Sequence, residues 1–147
     1  MRERNEEGSA IKVMCIDQAS WMLEEMKQTV LEIVPKAEIL LCKPSEAVRV
    51  AGNRGCDVLL TDIDLGREHD EGLILAQKIR ELCPRVNIIF TTVCAPHEYT
   101  ERVLRLRPSG YVRVPCNTKR LAKEFQNLRY TVPLRTEARW NQNTGRG

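Results

Sequence analysis

The sequence alternates between two kinds of segment, and this alternation limits the possible folds more than any other feature. Five short runs rich in β-branched and apolar residues fit buried strands, at 11–16, 37–42, 57–61, 86–91 and 110–114. Segments whose apolar residues recur at helical spacing lie between and after them. Several runs are apolar without alternation, which is typical of strands covered on both faces. The repeated strand–helix order therefore predicts an α/β fold with a parallel sheet between two layers of helices.

The helical segments have recognisable starts and stops. Pro35 ends the first, and Ser45 fits the N-cap of the second, which ends between Gly52 and Gly55. The third stops before Pro84. The fourth spans about 96–106, and the fifth follows Thr118 as its N-cap. We therefore predict one folded domain over 10–130, a flexible segment over 1–9 and a flexible tail over 131–147.

Composition excludes several classes of protein. The formal net charge is +3, which is too small on its own to indicate nucleic-acid binding. The chain has neither an apolar stretch of about 18 residues nor an apolar signal core, so we expect a cytoplasmic protein without membrane contact. The six cysteines lack CxxC and zinc spacing, which favours reduced, structural thiols.

Polar side chains follow the predicted strands where each strand ends. Asp17 and Gln18 come after the first run, Asp62 and Asp64 after the third, and Thr91 closes the fourth. Sites in open parallel sheets form at the carboxyl ends of strands. Carboxylates on neighbouring strand ends would suit a divalent cation such as Mg²⁺, which could neutralise charge if an aspartate attacks a phosphoryl group.

Four stretches carry a resemblance to a known family: IKVMCIDQ, DVLLTDIDLG, ILAQKIRELCPRVNIIFTT and SGYVRVP. Over residues 11–129 the chain resembles the receiver domains of response regulators. The resemblance implies a flavodoxin-like (βα)5 three-layer sandwich with a five-stranded parallel sheet in the order 2-1-3-4-5. It also implies a signalling module of two-component systems rather than an enzyme. The last third is similar to receivers that precede LytTR-type or activator-type DNA-binding domains, which implies transcription regulation.

The resemblance also implies a role for each candidate residue. Asp62 matches the phosphoacceptor, which a sensor histidine kinase would phosphorylate. Asp17, Asp62 and the backbone carbonyl of Asp64 match the Mg²⁺ ligands. Thr91 matches the switch hydroxyl, and Tyr111 matches the aromatic residue that changes rotamer with it.

The chain departs from the family at three positions. Gln18 stands where a second acidic metal ligand is usual, so Mg²⁺ affinity should fall. Val114 stands where lysine is usual before the proline, and valine cannot pair with a phosphoryl oxygen. Gly66 replaces a common proline. We hypothesise that the carboxylate of Asp64 partly compensates for Gln18.

Basic residues crowd the last third of the chain. A solvated face is the simplest interpretation. In receivers, however, the surface of the fourth helix, fifth strand and fifth helix is the usual partner and homodimer surface, and we expect DNA contact only through an output domain that the sequence does not show. The basic residues are Arg102, Arg105, Arg107, Arg113, Lys119, Arg120, Lys123 and Arg129, opposed by Glu101 and Glu124.

Two alternatives remain open. Gln18 and Val114 suit a degenerate receiver that acts as an interaction or dimerisation module without phosphorylation. Asp62 and Asp64 also form a DxD pattern similar to that of haloacid-dehalogenase-type phosphatases. That pattern normally sits on the first strand and is followed by glycine-threonine, whereas Leu65-Gly66 follows here.

Overall fold

The computed structural model describes residues 10–66, 68–92, 100–113, 118–126 and 128. Strands and helices alternate strictly along the described chain. The elements are β1 (Lys12–Ile16), α1 (Ser20–Ile33), β2 (Glu38–Cys42), α2 (Pro44–Arg54), β3 (Val58–Thr61), α3 (Glu71–Leu82), β4 (Asn87–Thr92), α4 (Thr100–Leu106), β5 (Gly110–Arg113) and α5 (Thr118–Gln126).

The five strands form one sheet in the order β2-β1-β3-β4-β5, and every pair in it is parallel. This confirms the predicted fold class and strand order. The predicted runs and the observed strands agree to within one residue at each end, because unbroken apolar runs bounded by polar residues mark buried strands clearly. The end of the last predicted run, at Val114, lies outside the described residues.

Two apolar layers cover the sheet. One packs α2, α3 and α4 against alternate strand residues such as Met14, Leu59 and Ile88. The other packs α1 and α5 against the intervening residues, such as Cys15 and Leu60. Since successive strand side chains point to opposite faces, the continuous apolar runs supply both layers.

The predicted N-cap at Ser45 is wrong. The helix α2 begins one residue earlier, at Pro44, and Ser45 lies inside its first turn. Proline suits this position because its missing N–H would have no helical partner there. The Glu46 carboxylate accepts a hydrogen bond from the Lys43 backbone N–H at 3.2 Å, which closes the helix start.

The other helix boundaries follow the predictions more closely. Gly55, directly after α2, has a φ of 80°, a conformation that favours glycine. The helix α4 begins at Thr100, and residues 96–99 of its predicted range lie outside the described residues. Thr118 is the first residue of α5 rather than a position before it.

The described cysteines are thiols, and no disulfide joins them. Cys15, Cys42 and Cys56 are buried, and Cys83 is half-buried. Burial raises the pKa of the Cys42 thiol to about 11, so it is neutral at physiological pH. Cys94 and Cys116 lie outside the described residues, as do the two segments predicted to be flexible, 1–9 and 131–147.

Among the helices that the structure describes, none combines the length and apolar character needed to cross a bilayer.

Candidate functional site

The sheet register places three of the candidate residues at one level. Ile16 pairs with Thr61, and Thr61 pairs with Phe90. Asp17, Asp62 and Thr91 each follow one of these residues, so they lie side by side at the carboxyl edge of β1, β3 and β4. The carboxyl edge of the sheet, where parallel topology predicts a site, is therefore formed here by adjacent strands.

Backbone hydrogen bonds orient both carboxylates at this edge. Asp17 Oδ1 accepts from the Ala19 N–H at 2.9 Å, and the Asp17 N–H donates to the Cys42 carbonyl at 3.2 Å. Asp62 Oδ1 accepts from the Ile63 N–H at 2.7 Å. Asp17 and Asp62 are both half-buried.

The backbone of Asp62 is held from behind by the start of α3. The Gly72 N–H donates to the Ile63 carbonyl at 2.8 Å. A Cβ atom at Gly72 would overlap the Asp62 carbonyl oxygen and lie 2.8 Å from its carbonyl carbon. Only glycine allows α3 to approach this closely, so Gly72 sets the position of the loop that carries Asp62.

The Asp64 side chain does not join this group. Its Oδ1 accepts from the Gly66 N–H at 2.9 Å, and its Oδ2 lies 3.2 Å from His69 Nδ1. The Asp64 side chain is exposed, and the Gly66 N–H and His69 hold the pKa of its carboxyl below the usual value. The hypothesis that this carboxylate compensates for Gln18 is therefore wrong, because its oxygens serve a local turn at the surface.

The described residues contain no group of three or more histidine, cysteine, aspartate or glutamate side chains that could hold a metal ion. Gln18 is half-buried beside Asp17 in the chain. Two carboxylates, of Asp17 and Asp62, thus remain at the edge as hard oxygen donors suited to Mg²⁺. A backbone carbonyl and water would have to complete such a site.

The residues that the resemblance matches to a switch are described only in part. Thr91 is buried at the end of β4. The backbone of Tyr111 pairs with Phe90 in the sheet, next to β4. Val114, where a lysine was expected, lies outside the described residues.

Comparison with known proteins identifies the family. The family model of the response regulator receiver domain matches residues 13–126. The chain belongs to the response regulator receiver domain family. No curated protein sequence matches the chain.

Solved structures share the receiver fold at low sequence identity. The chemotaxis protein CheY4 of Vibrio cholerae is 18% identical, with a TM-score of 0.69 over 81% of this chain and 98% of that one. A CheY-like receiver domain protein of Methanospirillum hungatei is 20% identical, with a TM-score of 0.70 over 95% and 100%. A response regulator of Burkholderia pseudomallei, solved with a phosphorylated aspartic acid and a calcium ion, is 18% identical, with a TM-score of 0.65 over 79% and 71%.

The basic residues of this receiver divide into two groups. Lys119, Arg120 and Lys123 are exposed on α5. On α4, Arg102 Nη1 lies 2.9 Å from Asp70 Oδ2, and Arg105 pairs with Glu101 at 3.2 Å. The first group fits the solvated face that the sequence predicts, whereas Arg102 connects α4 to Asp70, the residue before α3. The side chain of Arg113 and all of Arg129 lie outside the described residues.

Sequence reasoning missed three residues that organise the site and α4. Gly72 supports the Asp62 loop, Asp70 pairs with Arg102, and Arg80 donates to the Leu106 carbonyl at 2.6 Å and to the Val86 carbonyl at 3.0 Å. Only Gly72 left a signal in the sequence, as a glycine in the first turn of a predicted helix, where glycine weakens the helix. Arg102 was assigned to the basic solvated face, and nothing in the sequence marked Asp70 or Arg80.

Proposed function

We propose that this receiver accepts a phosphoryl group on Asp62 from a sensor histidine kinase. The aspartate oxygen would form a bond to phosphorus while the phosphorus–nitrogen bond of the phosphohistidine breaks and the imidazole takes up a proton. The observation that carries the proposal is the register Ile16–Thr61–Phe90, which sets Asp17 and Asp62 level on adjacent strands with Thr91 beside them.

Mg²⁺ belongs to the proposal because transfer of a phosphoryl group to an aspartate brings negative charges together. Asp17, Asp62 and the Asp64 backbone carbonyl would hold the ion, which supplies neutralising charge when bound. Asp62 supplies the nucleophile, and the hydrogen bond from the Ile63 N–H orients its carboxylate. The fold likeness to the phosphorylated Burkholderia receiver supports this chemistry at the level of family only.

We further propose that the phosphorylated state is passed through Thr91 and Tyr111 to the α4–β5–α5 surface, which would bind a second copy or an output partner. A shift between two conformers would change the population able to bind. The exposed cations of α5 would give this surface a basic character.

Incubation with Mg²⁺ and acetyl phosphate tests the acceptor. We expect the intact mass to increase by one phosphoryl group, the increase to vanish in Asp62→Ala and to persist in Asp64→Ala. The Asp64 variant is the matched control, because it removes a carboxylate from the same loop whose oxygens face Gly66 and His69. An unmodified wild-type chain, or a modification that survives Asp62→Ala, would contradict the proposal.

A second candidate function is a degenerate receiver that binds partners without phosphorylation. It is favoured by Gln18 and by the Asp64 carboxylate lying away from Asp62. It predicts that beryllofluoride with Mg²⁺ leaves the sedimentation behaviour of the wild-type chain unchanged, and a beryllofluoride-dependent dimer would contradict it.

Restoring an acidic residue at position 18 should strengthen Mg²⁺ binding. We expect Gln18→Asp to raise the Mg²⁺ affinity about tenfold. The attraction between an additional carboxylate and the cation amounts to a few kcal/mol, and dehydration and repulsion between carboxylates reduce this gain. Titration can follow the fluorescence of Trp21, which is exposed in the first turn of α1, in a Trp140→Phe background. Gln18→Asn is the neutral control, and equal affinities for the two variants would show that the ion does not bind beside position 18.

A further inference from the structure

One ion pair joins α4 to the loop that carries Asp62. Arg102 Nη1 lies 2.9 Å from Asp70 Oδ2, and the two side chains are only 34% and 26% exposed. Asp70 closes the loop that begins at Asp62 and directly precedes α3. The pair therefore connects the neighbourhood of the proposed acceptor to a helix of the proposed output surface, across 32 positions of sequence.

Asp70 has a second partner within reach. It occupies the N-cap position of α3, and aspartate is among the best residues for accepting hydrogen bonds from the first helical amides. Its side chain nevertheless makes no capping hydrogen bond. The carboxylate is used by Arg102 instead, so one side chain has two competing roles.

One of the two amides that Asp70 could cap already donates to the loop that carries Asp62, here called the acceptor loop. A capping side chain accepts from the second or third helical N–H, which here belong to Gly72 and Leu73. The Gly72 N–H donates to the carbonyl of Ile63, the residue directly after Asp62. A displacement of Ile63 would release this N–H and make capping by Asp70 more favourable. A capping hydrogen bond and a partly exposed ion pair each favour their own arrangement by on the order of fivefold. The arrangement with Asp70 paired to Arg102 and the arrangement with Asp70 capping α3 are therefore close in free energy.

We propose that Asp70 is a two-position switch that exchanges Arg102 for the first-turn amides of α3. In the ion-paired position, Asp70 ties the first half of α4 to the acceptor loop. In the capping position, Arg102 is released and α4 keeps its anchor at the other end, where Arg80 donates to the Leu106 carbonyl. Control of the exchange by phosphorylation of Asp62 rests on the function proposed above, whereas the exchange itself does not.

Amide hydrogen exchange of the full chain, read residue by residue by NMR, tests the switch. We expect Arg102→Gln to speed exchange in the first half of α4 about fivefold and to slow it at Leu73 by a similar factor, because Asp70 becomes free to cap while the Gly72 N–H is already bonded to Ile63. Asp70→Ala should speed exchange in α4 and not protect α3. Arg105→Gln, which breaks the pair with Glu101 inside α4, is the matched control and should change both regions less than about twofold.

The decisive readout is the opposite response of the two helices. If Arg102→Gln does not slow exchange at Leu73, the ion pair is a simple tether and the switch is overturned. Beryllofluoride with Mg²⁺ should reproduce the Arg102→Gln pattern in the wild-type chain. Bound beryllofluoride without this pattern would overturn the coupling alone, whereas failure to bind it, seen by fluorine NMR, would contradict the proposed phosphorylation and leave the result for Arg102→Gln standing.

Discussion

Replacing Gly72 by alanine is expected to destabilise the fold by about 3 kcal/mol. This value is at the upper end of the costs of overpacking, because the added atom meets backbone, which cannot rotate away as a side chain can. The added Cβ would overlap the Asp62 carbonyl oxygen and lie 3.0 Å from the Ile63 carbonyl oxygen. Relief requires α3 to move away from β3, which would weaken the hydrogen bond from the Gly72 N–H to Ile63. The higher helix propensity of alanine, worth about 1 kcal/mol, offsets only part of this loss.

Urea denaturation followed by circular dichroism measures this effect, and Gly52→Ala is its matched control. Gly52 lies inside α2 and is exposed, and a Cβ there would meet Leu82 Cδ1 at 3.8 Å, an ordinary contact. Its replacement should therefore stabilise the protein by roughly 0.5–1 kcal/mol. If both variants shift stability in the same direction, the close approach of α3 to Asp62 does not constrain the fold.

Replacing Arg80 by methionine is expected to cost about 2–3 kcal/mol, since hydrogen bonds from a charged donor contribute more than neutral ones. Methionine keeps the apolar stem but removes the donors to the Leu106 and Val86 carbonyls. Leu106 is the last residue of α4, whose terminal carbonyls have no helical partner. Burial, and then the neighbouring Arg107, lower the pKa of the Arg80 guanidinium, yet arginine remains charged.

Lys78→Met is the control for Arg80, because Lys78 is an exposed cation on the same helix. We expect its effect on stability to stay within about 0.5 kcal/mol. Native-state hydrogen exchange would add a local signature, namely faster exchange at the end of α4 in the Arg80 variant only. Equal stability losses would mean that removal of any cation from α3 has this effect. They would contradict the role given to the hydrogen bonds from Arg80 to the Leu106 and Val86 carbonyls.

The fold was predictable because its strands are buried on both faces. Val58-Leu59-Leu60 and Ile88-Ile89-Phe90 could not satisfy an alternating, half-exposed strand, and each is followed by polar residues that mark the end of the strand. The start of α2 was less predictable, because serine at position 45 is a strong capping type and proline at position 44 is a strong first-turn type. The two residues predict different first positions for α2, and the helix begins at the proline.

The candidate site divides in the same way. The common level of Asp17, Asp62 and Thr91 was predictable from the sequence, because each follows one of the paired residues Ile16, Thr61 and Phe90. Asp64 is only two residues from Asp62, but its carboxylate faces Gly66 and His69. Position along a loop does not determine side-chain direction, which depends on the turn that the loop adopts.

The amino-acid sequence was enough to predict the layered α/β fold, the edge of the sheet at which the carboxylates lie, and the departures from the family at Gln18 and Val114. These follow from the periodicity and order of residues along the chain, which set local structure and topology. Three features became visible only in the folded chain: α3 needs a glycine in its first turn against Asp62, Asp70 pairs with Arg102, and Arg80 anchors α4. These contacts join residues of different elements, and their partners are chosen by packing distances that no local pattern of residues encodes.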